Sequence, residues 1–148
     1  KTSEWSSMEH IVEIATKPKS EAFQSYYTDA EELNELMISL LGDIRNKTVI
    51  EPCVGKGAFI RPLVDTVAKI DAVDIDIEHV KEVGLFESTS LRVHHGDFID
   101  HFVSDDMFSK LSLDDKYDAL ICNPPYGLKL SVEYRKKIKK RFPDIYAR

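Results

Sequence analysis

The segment with the clearest chemical signal is Asn123-Pro124-Pro125-Tyr126, which follows an apolar run. Two consecutive prolines fix φ and cannot continue a helix or a strand ladder, so the backbone is held rigid at this point. Asn123 presents an amide before the prolines, and Tyr126 presents a flat aromatic face after them. A turn that only ended a strand would need the prolines but neither flanking residue. The segment is therefore predicted to be a functional site.

A second candidate site is the segment 51–59, which also follows an apolar run. Gly55 and Gly57 would let the backbone turn tightly and approach a ligand closely at the start of a helix. Neither the dinucleotide fingerprint nor the P-loop is met, because Ile60 stands three residues after Gly57 and no Gly-Lys-Ser/Thr follows. Tight packing alone would also explain two glycines at this spacing. Glu51 adds a carboxylate where phosphate binders avoid negative charge, which favours a ligand with cationic or hydroxyl groups.

Acidic residues follow the next two apolar runs. Asp74 stands 17 residues after Gly57, where a carboxylate would hold a ribose diol. The alternative is a helix N-cap, and we expect Asp74 to bind the ligand and Asp76 to provide the cap. After the third run, Asp97 would accept from an adenine amine while Phe98 packs on the purine. A simple Gly-Asp turn is the favoured alternative at that position.

Alternating strands and helices would position these residues. Apolar runs predict four strands, at 48–50, 70–73, 91–93 and 117–122, separated by helices near 58–68, 77–83 and 101–111. This order predicts an α/β fold with a parallel sheet and helices on both faces, whose ligands bind beyond the carboxyl ends of the strands. Upstream, we expect a helix over about 5–15 and another that begins at the capping box Thr28-Asp29-Ala30-Glu31.

Composition excludes several other classes of protein. The chain has 148 residues, of which 43% are hydrophobic and 31% charged, enough for one domain with a buried core. No stretch approaches the ~20 apolar residues of a membrane helix, and none reads as a signal peptide. Two cysteines fit a reducing compartment, so a cytoplasmic protein is expected. The histidines and cysteines lack metal-ligand spacing, so no metal is expected.

The charge is distributed unevenly. Residues 127–148 carry eight of the 20 Lys and Arg residues but only two of the 26 Asp and Glu residues, although the whole chain has a net charge of −6. Lys136, Lys137 and Lys140 lie in a basic run, 135–141, that would follow a nucleic-acid backbone. A solvated helix face without a partner is the alternative.

Taken in order, these motifs resemble those of the gamma-type adenine-N6 DNA methyltransferases. The match runs from about residue 24 to 127 and rests on the following residues: Tyr27-Thr28, Glu51-Pro52, Gly55, Gly57, Phe59, Asp74, Asp97-Phe98 and Asn123-Pro124-Pro125-Tyr126. The resemblance implies a Rossmann-like methyltransferase sheet and S-adenosyl-L-methionine as the cofactor. It also implies DNA as a partner and a restriction subunit or domain as a further one.

The resemblance also implies a role for each motif. Thr28 and Glu51 would lie near the methionine part of the cofactor, with Tyr27, Pro52 and Phe59 in the same motifs and Gly55 and Gly57 in the close loop. Asp74 would bind the ribose hydroxyls, Ile75 would pack on the adenine, and Asp97 and Phe98 would recognise the adenine ring. Asn123, Pro124, Pro125 and Tyr126 would form the reaction site.

The sequence departs from the family pattern in two respects. Asp29 stands where a proline often follows the Tyr-Thr pair, and the chain ends soon after Tyr126. We therefore expect an N-terminal helical segment over 1–20 and a cofactor-binding, catalytic domain over 21–148. The catalytic domain would be truncated after its fourth strand, and the target-recognition domain would be absent. The chain would be inactive on its own if the later strands and the target-recognition domain are essential.

The implied reaction is methyl transfer to N6 of an adenine flipped out of the duplex. Tyr126 would stack on the base, while the Asn123 side-chain oxygen and the Pro124 carbonyl accept both N6 hydrogens. Three alternatives stay open. The substrate would instead be a protein glutamine or RNA; the domain would be a non-catalytic nucleic-acid-binding module; or it would be a nucleotide-dependent oxidoreductase, which leaves the Asn-Pro-Pro-Tyr segment unexplained.

Overall fold

Four parallel strands form the sheet of the computed structural model. They are β1 (Thr48–Glu51), β2 (Lys69–Asp74), β3 (Leu91–His95) and β4 (Ala119–Leu120), in the spatial order β3-β2-β1-β4. The structure describes residues 31–86, 88–104, 111–113, 116–125 and 129–146. The chain forms two units, 27–124 with 130–148, and 1–26 with 125–129. Of the second unit only Pro125 and Lys129 are described, and every element named below belongs to the first.

The helices alternate with the strands along the chain. They are α1 (Glu31–Ser39), α2 (Ile60–Leu63), α3 (Ile77–Val83), α4 (Phe98–Val103) and α5 (Val132–Arg141), followed by a 3-10 helix (Pro143–Tyr146). The predicted parallel α/β fold is confirmed, with all four strands at the predicted places. The prediction for the last strand is too long, since only two residues of 117–122 pair with β1. The helices expected over 5–15 and at Thr28, and the N-terminal segment 1–20, lie outside the described residues.

One face of the sheet carries the main hydrophobic core. Alternate residues of β1 and β2 project from this face, among them Val49, Ile70 and Ala72, all fully buried. Ile60 and Leu63 of α2 pack against them and are fully buried as well. β2 is buried on both faces, as expected for an inner strand of a parallel sheet. The sheet therefore holds the strand ends, and the loops beyond them, in fixed positions.

A buried ion network ties the strands together on the other face. The Asp71 carboxylate of β2 accepts hydrogen bonds from Arg92 Nε at 2.6 Å and Nη2 at 2.7 Å, and from the Tyr117 hydroxyl at 2.7 Å. His94 Nε2 lies 2.9 Å from the same carboxylate. Burial would raise the pKa of Asp71, but these hydrogen bonds outweigh it and hold that pKa well below its usual range. The network links β2 and β3 to the segment that leads into β4.

The chain order of the strands reverses beside β1. After β1 the chain builds β2 and β3 on one side, and it then returns to place β4 on the other side of β1. Ile50 is paired with Leu120 in the parallel β1–β4 ladder, and the Ile121 amide donates to the Ile50 carbonyl at 3.1 Å. In open α/β sheets a ligand binds in the crevice beyond the carboxyl ends of the strands at such a switch point. The two strongest sequence motifs follow these two adjacent strands.

Candidate functional site

The loop after β1 makes the tight turn that its glycines predict. Gly55 and Gly57 have φ of +52° and +77°, in the left-handed region that favours glycine. A Cβ at Gly57 would lie 2.9 Å from Phe86 Cε2 and 3.1 Å from Val83 Cγ2. Gly57 is therefore required both by its backbone conformation and by close packing against the end of α3. The packing interpretation of this glycine holds, and it is compatible with a ligand on the loop's outer side.

Asp74 links that loop to the end of β2 by hydrogen bonds. Its Oδ2 accepts from the Gly55 amide at 2.8 Å, and its Oδ1 accepts from the Asp76 amide at 2.8 Å. His79 Nδ1 lies 3.3 Å from the same Oδ1. Since a carboxylate offers about four acceptor positions, Asp74 keeps capacity for a ligand hydroxyl. The contact between Asp74 and a ribose stays a prediction. The hydrogen bond from Gly55 to Asp74 was not predicted from the sequence.

Of the two residues that follow Asp74, Asp76 has its predicted structural role. Asp76 caps α3, because its Oδ1 accepts from the Glu78 amide at 2.9 Å and its backbone is extended. Ile75 is 49% exposed, although it stands between two nearly buried aspartates. An exposed aliphatic side chain at a strand end offers a surface for a planar ring. Its contact with adenine stays a prediction.

Glu51 is the most unusual group at this edge of the sheet. Its side chain is 2% exposed, and its Oε2 has no hydrogen-bond partner among the described residues. Burial, with further contributions from nearby Cys122 and Asp74, raises the pKa of Glu51 well above its usual value. A buried carboxyl oxygen without a partner is costly unless the group is neutral or a ligand satisfies it. A ligand that brings a cation or a hydroxyl group here would fit.

Two thiols lie next to Glu51. Cys53 follows β1 and Cys122 follows β4, and their side chains hydrogen-bond to each other. This bond and burial raise the pKa of Cys53. The same bond lowers the pKa of Cys122. The contact also marks how close the ends of β1 and β4 are.

Asp97 caps α4, which begins at Phe98, before the start predicted for this helix near residue 101. Its Oδ1 accepts from the Ile99 amide at 2.8 Å and the Asp100 amide at 3.3 Å. The Tyr134 hydroxyl donates to its Oδ2 at 3.0 Å. Phe98 is half-buried beside it. The cap is thus established, while recognition of adenine by Asp97 and Phe98 stays a prediction.

The Asn-Pro-Pro-Tyr segment begins directly after β4. Asn123 is half-buried and Pro124 is exposed. Pro125 belongs to the second unit. Tyr126 lies outside the described residues, as do Tyr27 and Thr28. The structure therefore brings Asn123 and Pro124 to the end of the strand next to β1 and leaves the aromatic part of the motif untested.

The remaining predicted residues fall into two places. Pro52 and Phe59 are buried, and Phe59 is 1% exposed within the core, where it supports the loop. Lys136, Lys137 and Lys140 are all exposed on α5. Ile138 on the same helix is buried, so the helix has one packed side and a basic exposed side. Both interpretations of the basic run fit this arrangement.

Neither a metal site nor a membrane-spanning helix is found among the described residues. No group of three or more His, Cys, Asp or Glu residues in the described part of the chain is arranged to hold a metal ion. Among the same residues, no helix is long and apolar enough to cross a membrane.

No family model matches the chain. A sequence relative, the Type II methyltransferase M.AccI of Acinetobacter calcoaceticus, is 29% identical over 87 residues, which is 59% of this chain and 15% of the relative. Two solved structures have similar folds. A dimethyladenosine transferase from Plasmodium falciparum has a TM-score of 0.55 at 22% identity, covering 80% of this chain and 40% of that one. A protein from Pyrococcus horikoshii assigned as an RNA methyltransferase has a TM-score of 0.57 at 22% identity, covering 91% and 68%.

These structural similarities define the fold. The chain has the Rossmann-like α/β fold of these two solved structures, as the sequence predicts. The sequence relative is a methyltransferase too. This chain spans only 15% of that relative's length.

Proposed function

We propose that the chain binds S-adenosyl-L-methionine and transfers its methyl group to the exocyclic N6 of an adenine flipped out of DNA. The observation that carries the proposal is the adjacency of β1 and β4 at the switch point. Glu51 and the glycine loop end one strand, and Asn123-Pro124 ends the next. A cofactor loop and a pair of amine acceptors would then stand side by side, which methyl transfer between two bound molecules requires.

The cofactor side of this edge fits a cationic nucleoside ligand. When bound, S-adenosylmethionine supplies an electrophilic methyl group on a positively charged sulfur. Glu51 offers a buried oxygen without a partner, which a ligand ammonium or sulfonium charge would compensate. Gly55 and Gly57 allow the tight turn that brings the loop backbone to this edge, and Ile75 offers an exposed apolar surface. Asp74 would accept from the ribose hydroxyls with the acceptor positions it retains.

On the substrate side, Asn123 and Pro124 would act as acceptors. The Asn123 Oδ1 and the Pro124 carbonyl oxygen would each accept one hydrogen of the adenine N6. Accepting both hydrogens draws the amine towards a tetrahedral geometry and directs its lone pair at the methyl group. The new N–C bond would form as the methyl–sulfur bond breaks, and the methylated nitrogen would then release one proton to solvent. Catalysis would consist of positioning and electrostatics. Tyr126 would stack on the flipped base and offset part of the cost of unstacking.

DNA is the favoured substrate on two grounds. The sequence relative M.AccI is a Type II methyltransferase, and this name supports DNA as the substrate. It also supports a restriction subunit or domain as a partner. In addition, α5 exposes Lys136, Lys137 and Lys140 on a body that is otherwise acidic. Such a face would contact phosphates and release counterions on binding.

RNA is the second candidate substrate. The Plasmodium falciparum neighbour is a dimethyladenosine transferase, and the Pyrococcus horikoshii neighbour is assigned to RNA. Adenine N6 would be held in the same way in either nucleic acid, and the acceptors would serve a protein glutamine equally well.

A labelled-methyl assay tests the proposal. The chain, and a longer protein that contains it, would be incubated with S-adenosylmethionine carrying a labelled methyl group and with DNA, RNA or protein. The products would then be digested and the modified nucleoside or residue identified. We expect N6-methyldeoxyadenosine as the product. Label in a ribonucleoside or in glutamine would show that RNA or protein, and not DNA, is the substrate. A protein that binds S-adenosylmethionine but labels neither DNA, RNA nor protein would refute catalysis.

Asn123→Ala provides the matching variant. It removes one of the two N6 acceptors, so methyl transfer is expected to fall about 10²–10³-fold, as for loss of one oxyanion-hole donor, with cofactor affinity unchanged. The control is Asn46→Gly. Asn46 is exposed before β1, at the opposite edge of the sheet, and has a φ of +59° that glycine accepts. Undiminished turnover in Asn123→Ala would contradict its assigned role.

A further inference from the structure

Helix α5 reaches the carboxylate that is predicted to recognise the cofactor's adenine. The Tyr134 hydroxyl on α5 donates to Asp97 Oδ2 at 3.0 Å, across 37 residues of sequence. The same helix donates a second bond to α4, from Arg141 Nε to the Phe102 carbonyl at 3.3 Å. Ile138, between these two residues on α5, is buried. Tyr134, Ile138 and Arg141 therefore form the packed side of α5.

The three donors on Asp97 leave one oxygen partly open. Two backbone amides, of Ile99 and Asp100, converge on Oδ1, and Tyr134 is the one donor to Oδ2 among the described residues. An ionised carboxylate offers about four acceptor positions, two on each oxygen. The position that remains is on Oδ2, so a ligand amine at Asp97 would share this oxygen with the Tyr134 hydroxyl.

The protonation state of Tyr134 suits a hydrogen-bond donor to Asp97. Tyr134 is half-buried, and burial together with the Asp97 and Asp100 carboxylates raises its pKa, so the phenol keeps the proton that it donates. A fixed donor on Oδ2 holds the carboxylate plane in one orientation. Hydrogen bonds to charged acceptors are stronger than neutral ones, which makes this restraint effective.

We propose that Tyr134 is a positioning residue that orients the Asp97 carboxylate towards the exocyclic amine of the cofactor's adenine and thereby sets the preference for adenine over a 6-oxopurine. This inference rests on the proposed function, because it requires a cofactor whose adenine lies at Asp97. An amine donates to Oδ2, whereas a 6-oxo group presents an acceptor that the carboxylate repels. Loss of the Tyr134 hydroxyl lets the carboxylate rotate and weakens that distinction.

The experiment compares two product analogues by calorimetry. S-Adenosylhomocysteine and S-inosylhomocysteine differ only in the purine, with an amine in one and a 6-oxo group in the other. The ratio of their affinities would be measured for the wild-type chain, Tyr134→Phe, Arg141→Gln and Asp97→Asn. Arg141→Gln is the matched control, since it removes the other α5–α4 bond and leaves Asp97 untouched. Asn also caps helices well, so Asp97→Asn tests the carboxylate itself.

We expect the ratio to fall about three- to tenfold in Tyr134→Phe, which corresponds to one hydrogen bond. It should stay unchanged in Arg141→Gln and collapse in Asp97→Asn. A fluorinated tyrosine at position 134 gives a test that does not depend on the fold of the Phe variant, because a more acidic phenol donates more strongly and should raise the ratio.

The outcomes separate the inference from the proposed function. If Asp97→Asn loses the preference but Tyr134→Phe and fluorotyrosine leave it unchanged, the positioning role is wrong and the cofactor site stands. Equal weakening of both ligands in Tyr134→Phe also overturns it, because a structural role would do the same. If the wild-type chain binds neither ligand, the proposed function fails and the inference with it.

Discussion

The buried Glu51 carboxyl predicts that cofactor binding depends on pH. Its pKa is raised well above the usual value by burial and by the nearby Cys122 and Asp74, so Glu51 keeps its proton at pH values where an exposed glutamate has lost it. A cationic ligand beside Oε2 favours the ionised form and lowers that pKa again. Binding should therefore release a proton, and affinity should rise as the pH rises towards the pKa of the unliganded chain.

The magnitude follows from the coupling of one proton to binding. Below the raised pKa, and above the pKa in the complex, affinity should increase up to tenfold for each pH unit, or about 1.4 kcal/mol. The same raised pKa affects stability with a defined sign. The unfolded chain ionises Glu51 more readily, so stability is fully present below the unfolded pKa and is lost as the pH rises through the folded value.

The assay is calorimetric titration of S-adenosylmethionine over a pH series in buffers of different ionisation enthalpy, which reports the number of protons released. Glu51→Gln keeps the shape but removes the proton and the charge. It should weaken binding, abolish the proton release and make the folded chain more stable at neutral pH. Glu35→Gln, on the exposed side of α1, serves as the control and should retain the wild-type dependence. Proton release of the same size in Glu51→Gln, or none in the wild-type chain, would refute this reasoning.

Three further predictions concern the fold and the nucleic-acid face. Asp71→Asn should lower the free energy of unfolding by about 2 kcal/mol in urea denaturation, because it removes a buried charged acceptor of hydrogen bonds from Arg92 and Tyr117. Since the pKa of Asp71 is lowered, the deficit should be present above its unfolded pKa and shrink in acid; a pH-independent deficit would speak against the network. Gly57→Ala should cost about 2–4 kcal/mol through its positive φ and the short Cβ contacts, and a melting temperature equal to wild type would disprove that strain. Replacing Lys136, Lys137 and Lys140 by Gln should weaken DNA binding and reduce the slope of log K against log salt concentration by up to about three. An unchanged slope would show that these lysines make no contact with DNA phosphates.

The sequence predicted the features that depend on local pattern. Apolar runs of strand length placed all four strands, and their alternation with helices was enough to predict a parallel sheet. Asp76 could be identified as a cap because capping depends on residues within one helical turn. β4 is shorter than its apolar run, since pairing with β1 covers only Ala119 and Leu120. Hydrophobicity indicates burial and does not fix where a ladder ends.

Contacts that join distant parts of the chain could not be read from the pattern. Asp71 lies inside β2, and its partners Arg92 and Tyr117 come from two other segments. The Tyr134–Asp97 bond likewise depends on how α5 packs against α4. The basic residues around Tyr134 predicted only the exposed side of that helix and not its packed side. Such contacts are set by tertiary packing, which sequence spacing alone does not specify.

The central claim is that the carboxyl edge of β1 and β2 binds S-adenosylmethionine. The most direct measurement is a calorimetric titration of S-adenosylmethionine into the wild-type chain and into Asp74→Ala, each first shown to unfold cooperatively. The account predicts saturable binding of one ligand per chain, lost or strongly weakened in Asp74→Ala, because Asp74 holds the Gly55 loop and would take the ribose. A folded wild-type chain that does not bind, or an Asp74→Ala chain that binds equally well, would contradict it.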